Sequence, residues 1–338
     1  GTPESKVTGA KKKFDVVGLI IFMIATLALM IVLIFGQRTG WTSPTILSLA
    51  GVAIVAFAIF IAYERRQQNP FIDFKLFKNT TFTGATISNF ILNATIGLLI
   101  VSQQMLQVAR PELFDPWRAG LLTLGYAVTI IAFIRVGEKL LQRFGPRKPM
   151  LWGSAIVGLA AILLMPTHIL IGPYMVLAVI AYSLFGLGLA FYATPSTDAA
   201  LTNLPADQAG AGAGIYKMAS SLGGAIGAAL SLTIFTAFAG GGLTILGQVL
   251  HTQGVQYNTG VRQAGMITML FNLILVLFAI ISIIITVPKG GGRGKPQKDD
   301  GIGPTPQVEP DRQALLDELA TRPTEELQHL LDDATKSN

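Results

Sequence analysis

The sequence lacks cysteine and carries few charged residues for its length. Among its 338 residues, Asp, Glu, Lys and Arg make up 13%, whereas soluble chains average about 25%. This charge is too small to cover the surface of a water-soluble body, so lipid is the expected solvent and a cytosolic enzyme is disfavoured. The absence of cysteine excludes disulfides, thiolate metal sites and cysteine nucleophiles.

Histidine is scarce as well. His168, His251 and His329 are scattered along the chain, so neither a zinc site nor another cofactor is predicted. The net charge of +6 would suit nucleic acid only if the basic residues gathered on one soluble face. They lie instead in short runs between apolar stretches, and nucleic acid is not an expected partner.

Long apolar stretches dominate what is present. A hydrocarbon core about 30 Å thick requires roughly 20 apolar residues per helix. Eight such stretches occur, at residues 14–36, 45–63, 83–106, 117–136, 149–166, 174–193, 213–237 and 264–287. Because each is bounded by Gly, Pro, Asn or charge clusters, the sequence predicts an all-α membrane protein.

Lysine and arginine positions predict the orientation of these spans. With the N-terminus inside, basic clusters fall before the first span, near residues 65–78, near residues 135–148 and after residue 288. The outer loops then hold Arg38, Arg110, Arg118 and Arg262. Since positive loops remain on the cytoplasmic side, both termini are predicted to be cytoplasmic.

The third span is unusually polar. Its polar or small positions are Thr86, Asn89, Asn93, Gly97, Gln103, Gln104 and Gln107. They fall within an arc of about 120° on a helix, and an amide facing hydrocarbon costs several kcal/mol. We favour a cavity wall, with Asn89, Asn93, Gln103 and Gln104 contacting a ligand. The alternative is that these amides join neighbouring helices.

The sixth and seventh spans carry different signals. The sixth places Tyr174, Tyr182, Phe185 and Tyr192 on one stripe, which suits stacking on flat lipophilic ligands but equally suits ordinary packing or an interfacial belt. The seventh carries small residues four apart, which predicts close packing on a neighbour. Its Lys217 either reaches the interface or sets the electrostatics of a cavity. Asp198, after Pro195, is the acid nearest to a span centre.

Two segments resemble a transporter family. Residues 137–148, which read GEKLLQRFGPRK, resemble the G-x-L-A-D-R-x-G-R-R/K signature in cytoplasmic loops of major facilitator transporters. The match covers Leu140, Arg143, Gly145, Arg147 and Lys148, while Gly137 lies one residue early and Gln142 replaces the aspartate. The resemblance implies that this segment, together with Asp198, steadies a cytoplasmic gate.

A second segment, NPFIDFKLFKN at residues 69–79, follows two spans and precedes six more. This order resembles the second half of the fourteen-helix drug:proton antiporters of the major facilitator superfamily. The runs YATPSTD at residues 192–198 and GIYKMASSLG at residues 214–223 resemble Nor-type quinolone and multidrug exporters of Gram-positive bacteria.

The resemblance implies a major facilitator fold: a cytoplasmic start, two accessory helices and a basic loop (1–81), then a C-terminal six-helix bundle (82–288) of inverted repeats. Residues 289–338 are predicted to be a cytoplasmic linker with two short amphipathic helices, a solubilising extension or a docking segment. The N-terminal six-helix half, with the proton-coupling acid, is expected upstream. The third and sixth spans, which are the first helices of the two repeats, would line the central cavity.

The implied function is proton-coupled multidrug efflux across the bacterial cell (inner) membrane. The partners would be lipophilic drug-like molecules, protons, the lipid bilayer and the N-terminal half. Tyr182, Phe185 and Tyr192 would join the amides in contacting substrate. A non-transporting scaffold, or a split half-protein with a partner-binding tail, is the alternative, and an uptake carrier for uncharged solutes is disfavoured by the resemblance alone.

Overall fold

The computed structural model describes residues 15–240 and 258–289, in which the regular secondary structure is helical. The helices are α1 (Val16–Thr39), α2 (Pro44–Glu64), α3 (Thr80–Ala94), α4 (Gly97–Ala109), α5 (Pro116–Leu121), α6 (Leu124–Phe144), α7 (Arg147–Leu164), α8 (Ile171–Leu201), α9 (Ala209–Ala239) and α10 (Thr259–Thr286), with a 3-10 helix at Phe74–Lys78. They contain eight segments long and apolar enough to cross a membrane, which confirms the predicted spans.

Polar side chains fix where several helices begin. Asp15 caps α1 by accepting the Gly18 amide, Ser43 caps α2 by accepting the Ile46 amide, and Asn79 caps α3. Each side chain satisfies one of the backbone donors that a helix leaves free in its first turn. Such caps matter at the membrane boundary, where lipid offers a free donor no partner.

Two spans are interrupted, and several helices are longer than predicted. The third span breaks into α3 and α4 at Thr95, whose hydroxyl donates to the Leu92 carbonyl 2.5 Å away. The fourth span breaks between α5 and α6. In the sixth, the helix runs through Pro195 to Leu201, because the residues after the proline remain buried against neighbouring helices.

The loop expected at residues 137–148 is mostly helical, so that prediction was wrong. α6 continues to Phe144, and the connection to α7 is reduced to Gly145 and Pro146. Gly145 adopts φ 75° and donates its amide to the Leu141 carbonyl at 2.9 Å. The helix ends there because glycine enters this backbone region without steric cost.

The helices from α3 onward pack in a reciprocal pattern. α8, the sixth span, packs on α6 and α7, while α3 packs on α9 and α10. The first span of each three-span group therefore lies against the second and third spans of the other group. Gly223 and Gly227 of α9 permit this closeness, because a β-carbon at either position would overlap the backbone of α3.

The first two helices pair with each other, and α1 also packs on α9. Both expose aliphatic side chains over most of their length, as expected for contact with lipid. A row of phenylalanine rings joins them to the start of α3. The rings of Phe22, Phe60, Phe71, Phe74, Phe77 and Phe82 lie 5.2–6.3 Å apart along this row.

Arg262 closes the other end of the bundle. It was predicted in an outer loop but lies in the first turn of α10, where it is 5% exposed. The Arg262 guanidinium donates to the carbonyls of Thr167 at 3.3 Å and Ile169 at 2.8 Å, and the Thr167 hydroxyl donates to the Arg262 backbone carbonyl. The cation thus ties the α7–α8 connection to α10. The predicted tail from residue 290 onward lies outside the described residues.

Candidate functional site

The amides of α3 form a short hydrogen-bonded ladder. Asn89 is 4% exposed and donates to the Tyr216 carbonyl of α9 at 3.0 Å. Asn93, one turn later, donates to both the carbonyl and the side-chain oxygen of Asn89 at 2.8 Å. Asn93 is half-buried, so the ladder runs from the α3–α9 contact to a partly open face.

The helix break divides the predicted polar stripe. Before it, Thr86 is buried together with Asn89; after it, Gln103 and Gln107 are half-buried and Gln104 is exposed. Gly97 lies at the break against Ser231 of α9, where a β-carbon would overlap the serine side chain. The amides of α4 therefore face outward from this chain, while the deepest amide of α3 bonds to a neighbouring helix.

The aromatic stripe of α8 lies inside the helix bundle. Tyr182 and Phe185 are 0% exposed and Tyr192 is 2% exposed. The hydroxyl of Tyr182 lies 2.6 Å from that of Ser102, and the hydroxyl of Tyr192 lies 2.5 Å from that of Ser88. In this conformation their surface is occupied by protein, as in the packing interpretation of the stripe.

A further tyrosine connects α9 to the same network. Tyr216 donates its hydroxyl to Ser196 of α8 at 2.7 Å, while its carbonyl accepts the Asn89 amide. Through Tyr216, a side chain of α3 and a side chain of α8 are attached to one residue of α9. The position of Asn89 thus depends on contacts among three helices.

The predicted gate residues Gln142 and Asp198 meet in a pocket between α6 and α8. This α6–α8 pocket has a volume of about 320 Å³. Its lining consists of Glu138, Leu141, Gln142, Thr194, Thr197, Asp198 and Leu201. Two carboxylates, an amide and two hydroxyls therefore line one space beside the α6–α7 turn. Such a group can bind a cation or donate and accept hydrogen bonds.

The other gate residues lie around that turn. Gly137 is buried inside α6, where its missing side chain lets α6 approach the Ala190 carbonyl of α8. The Arg143 guanidinium lies 5.2 Å and the Lys148 ammonium 5.7 Å from the centre of the Phe144 ring. These cation–π contacts attach both basic side chains to the end of α6. Arg147 is the half-buried first residue of α7.

Lys217 is exposed, two turns into α9, on the same face as Gly214 and Ser221. A β-carbon added at Gly214 would have no neighbouring atom within 4 Å among the described residues, so they leave this face of α9 uncovered. Lys217 does not line the α6–α8 pocket, and it follows Tyr216, whose carbonyl accepts the Asn89 amide.

Several residues of these sites were not predicted from the sequence. Glu138 was predicted in a loop, but it precedes Gln142 by about one helical turn of α6 and lines the same pocket. Ser88 and Ser102 stand next to the amides of the third span, and Ser196 lies just after the predicted sixth span. Their only sequence signal is that each is a hydroxyl at membrane depth, where a partner is required.

Comparison with known proteins matches most of the chain to one family. Residues 13–228 match the Major Facilitator Superfamily. The chain is similar to the quinolone resistance protein NorB of Staphylococcus aureus strain MRSA252, with 41% identity over 290 residues, or 86% of this chain and 58% of that protein. NorB proteins of strains COL and bovine RF122 / ET3-1 are 40% identical over the same shares. The chain spans little more than half the length of these relatives.

Proposed function

The chain belongs to the Major Facilitator Superfamily, and from that premise we propose that it acts in multidrug efflux as the C-terminal half of a proton-coupled antiporter. Family membership and the eight apolar helices point to a multi-pass membrane transporter rather than an enzyme. The proposal adds an N-terminal six-helix half, cytoplasmic termini and export of lipophilic molecules. The similarity to NorB proteins supports the last point.

The observation that carries the proposal is the amide ladder of α3. Asn89 is anchored to Tyr216 and the half-buried Asn93 is anchored to Asn89, while Gln104 of α4, beyond the helix break, is exposed. Exposed amides are costly against hydrocarbon, so this face should border water, a ligand or the other half. An anchored amide also presents its remaining hydrogen-bonding groups in a fixed direction.

We assign direct substrate contact to Asn93, Gln103 and Gln104, with Asn89 holding the ladder from behind. Tyr182, Phe185 and Tyr192 would support the same wall from inside the bundle, because their rings are buried in this conformation. Lipophilic drugs carrying one polar or cationic group fit this arrangement. Their apolar parts can lie along the spans while an amide oxygen accepts the polar group.

The α6–α8 pocket would act as the gate on the cytoplasmic side. Glu138, Gln142 and Asp198 line it, and the stacked Arg143 and Lys148 lie beside it. Movement of α6 relative to α8 would alter this pocket before it altered the buried tyrosine contacts. Proton coupling is assigned to the N-terminal half, because the bundle spans from α3 to α10 offer no central acid.

The experiment uses the complete transporter, encoded with its N-terminal half, in cells lacking other exporters. Asn93→Ala should lower efflux of a fluorescent cationic drug severalfold at unchanged expression, because the half-exposed end of the ladder is removed. Gln68→Ala, an exposed amide after α2, is the matched control and should export normally. Dissipating the proton gradient should abolish export by the wild type.

The outcomes separate the proposals. Export by Asn93→Ala equal to the wild type would remove the substrate-contact assignment. Export that survives loss of the proton gradient would exclude proton coupling. If the assembled wild type exports no tested drug while residues 290–338 capture a specific partner, the scaffold alternative is favoured.

A further inference from the structure

Glu64 is a buried acid at the end of α2. It is 1% exposed, although the two arginines that follow it are exposed. Its Oε2 atom accepts the backbone amide of Ile72 at 3.0 Å, which ties the segment leading to α3 back onto α2. Burial of a carboxyl group is costly unless its oxygens find donors or it carries a proton.

Asp15, the cap of α1, lies beside Glu64. Its Oδ1 atom accepts the Gly18 amide at 2.9 Å. The second oxygens, Asp15 Oδ2 and Glu64 Oε1, are both buried and make no hydrogen bond of good geometry among the described residues, although the Phe71 backbone amide and the Tyr63 hydroxyl lie close to the pair. Both lie over Gly18, where a β-carbon would overlap the two carboxyl groups at once. These two oxygens therefore face each other across this glycine.

One proton would satisfy both oxygens. Two adjacent carboxylates in a poorly hydrated site repel each other, and each would remain a buried acceptor without a well-placed donor. A proton on either acid turns one oxygen into a donor for the other and removes one charge. We propose that Asp15 and Glu64 form a proton-binding site, in which a single shared proton joins the start of α1 to the end of α2.

The surroundings provide a route for the proton. Asp15 lines an open pocket of about 450 Å³ together with Val16, Val17, Arg66, Gln67, Gln68 and Asn69, so water can reach one side of the pair. In the described residues, the other charged or titratable groups facing the pair are Tyr63 and Arg66. The proton is taken from bulk water through this pocket and returns to it, with no other reactant required.

The site has a structural consequence that goes beyond the proposed efflux. The pair connects α1, α2 and, through Ile72, the segment that enters α3. Loss of the shared proton leaves two charges at this joint and should loosen it. Because the pair lies in the first two helices, away from the amide ladder, its test does not depend on drug transport.

The sign of the pH effect follows from proton counting. Unfolded Asp and Glu are ionised near neutral pH, whereas the folded pair holds one proton. The folded state then binds one proton more, so the folding equilibrium constant should fall by up to about tenfold per pH unit as the pH rises from about 5 to about 7, and should level off above that, where the pair has lost its proton. Asp15→Asn and Glu64→Gln supply an amide donor in place of the proton and should each abolish this slope.

The experiment measures unfolding of the full chain in detergent across this pH range, together with infrared absorption of un-ionised carboxyl groups at neutral pH. The wild type should show both the slope and the carboxyl band, and each amide variant should lose both. Glu112→Gln is the matched control, because Glu112 is an exposed acid paired with Arg110, and it should retain both.

A wild type without an un-ionised carboxyl band at neutral pH would overturn the proposal, even if neither amide variant folds. A band or slope that persists in the folded amide variants would overturn it equally. Gly18→Ala gives a second check. Its β-carbon occupies the space of the pair, so the band should shift or disappear while a helix-favouring residue is introduced.

Discussion

Ser102 and Tyr182 offer a quantitative test of how α4 is held to α8. Their hydroxyl oxygens are 2.6 Å apart, and both residues are 0% exposed. Ser102→Ala leaves the Tyr182 hydroxyl buried without this partner, at a cost of about 1–3 kcal/mol in general. Interhelical hydrogen bonds in membranes average about 0.6 kcal/mol and reach about 1.7 kcal/mol. We therefore expect a loss of about 1–2 kcal/mol in the free energy of unfolding.

The companion variant Tyr182→Phe keeps the ring packing and removes the same bond from the other side. In the double variant neither of these two hydroxyls remains, and the Tyr174 hydroxyl, 3.3 Å from that of Ser102, keeps the Leu164 carbonyl as acceptor. The second substitution should therefore cost little, and the coupling energy should be about 1 kcal/mol. The measurement is unfolding of the purified chain in mixed micelles, followed by helix content. Ser48→Ala, an exposed serine bonded to the Pro44 carbonyl of its own helix, is the control and should be nearly neutral.

Additive losses in the Ser102 and Tyr182 variants would refute this reasoning. They would mean that the two hydroxyls do not exchange a hydrogen bond in the folded protein. The packing assignment of the α8 stripe would then lose its main support, and Tyr182 would again be open to contact with a ligand.

Two further predictions concern glycines. Gly227→Ala should strongly reduce the yield of folded protein, because its β-carbon would overlap the Ala94 backbone; Gly214→Ala, on an open face of the same helix, should fold normally by size-exclusion chromatography. Gly145→Ala should lower the free energy of unfolding by about 1–2 kcal/mol, because alanine is strained at φ 75°. Equal stability of this variant and the wild type would contradict the role of Gly145 in ending α6.

The spans could be predicted because burial in lipid depends on local composition. That Asn89 and Asn93 lie on one face of α3 was also predictable, since they are four residues apart; that this face is a cavity wall stays a prediction. The burial of Asn89 and the partial exposure of Asn93 could not be predicted, because they depend on the contact of Asn89 with Tyr216 of α9. The aromatic residues were correctly placed on one face of α8. That this face packs on protein depends on the serines of α3 and α4 that lie opposite it.

The buried acid pair shows the same limit. In the sequence, Glu64 follows the predicted second span and precedes two arginines, and Asp15 is the second residue of the predicted first span. Their proximity results from pairing of α1 with α2 and from the small volume of Gly18. Residues separated by 49 positions carry no sequence signal of contact.

By itself, the sequence determined that this protein is helical and that eight of its stretches are long and apolar enough to cross a membrane. Tertiary structure alone decided that Asn89 bonds to Tyr216, that Gln142 and Asp198 share a pocket, and that a carboxyl pair is enclosed at the joint of the first two helices. The reason is geometric: periodicity fixes the angle of a side chain about its own helix, whereas its environment depends on which neighbour occupies that direction.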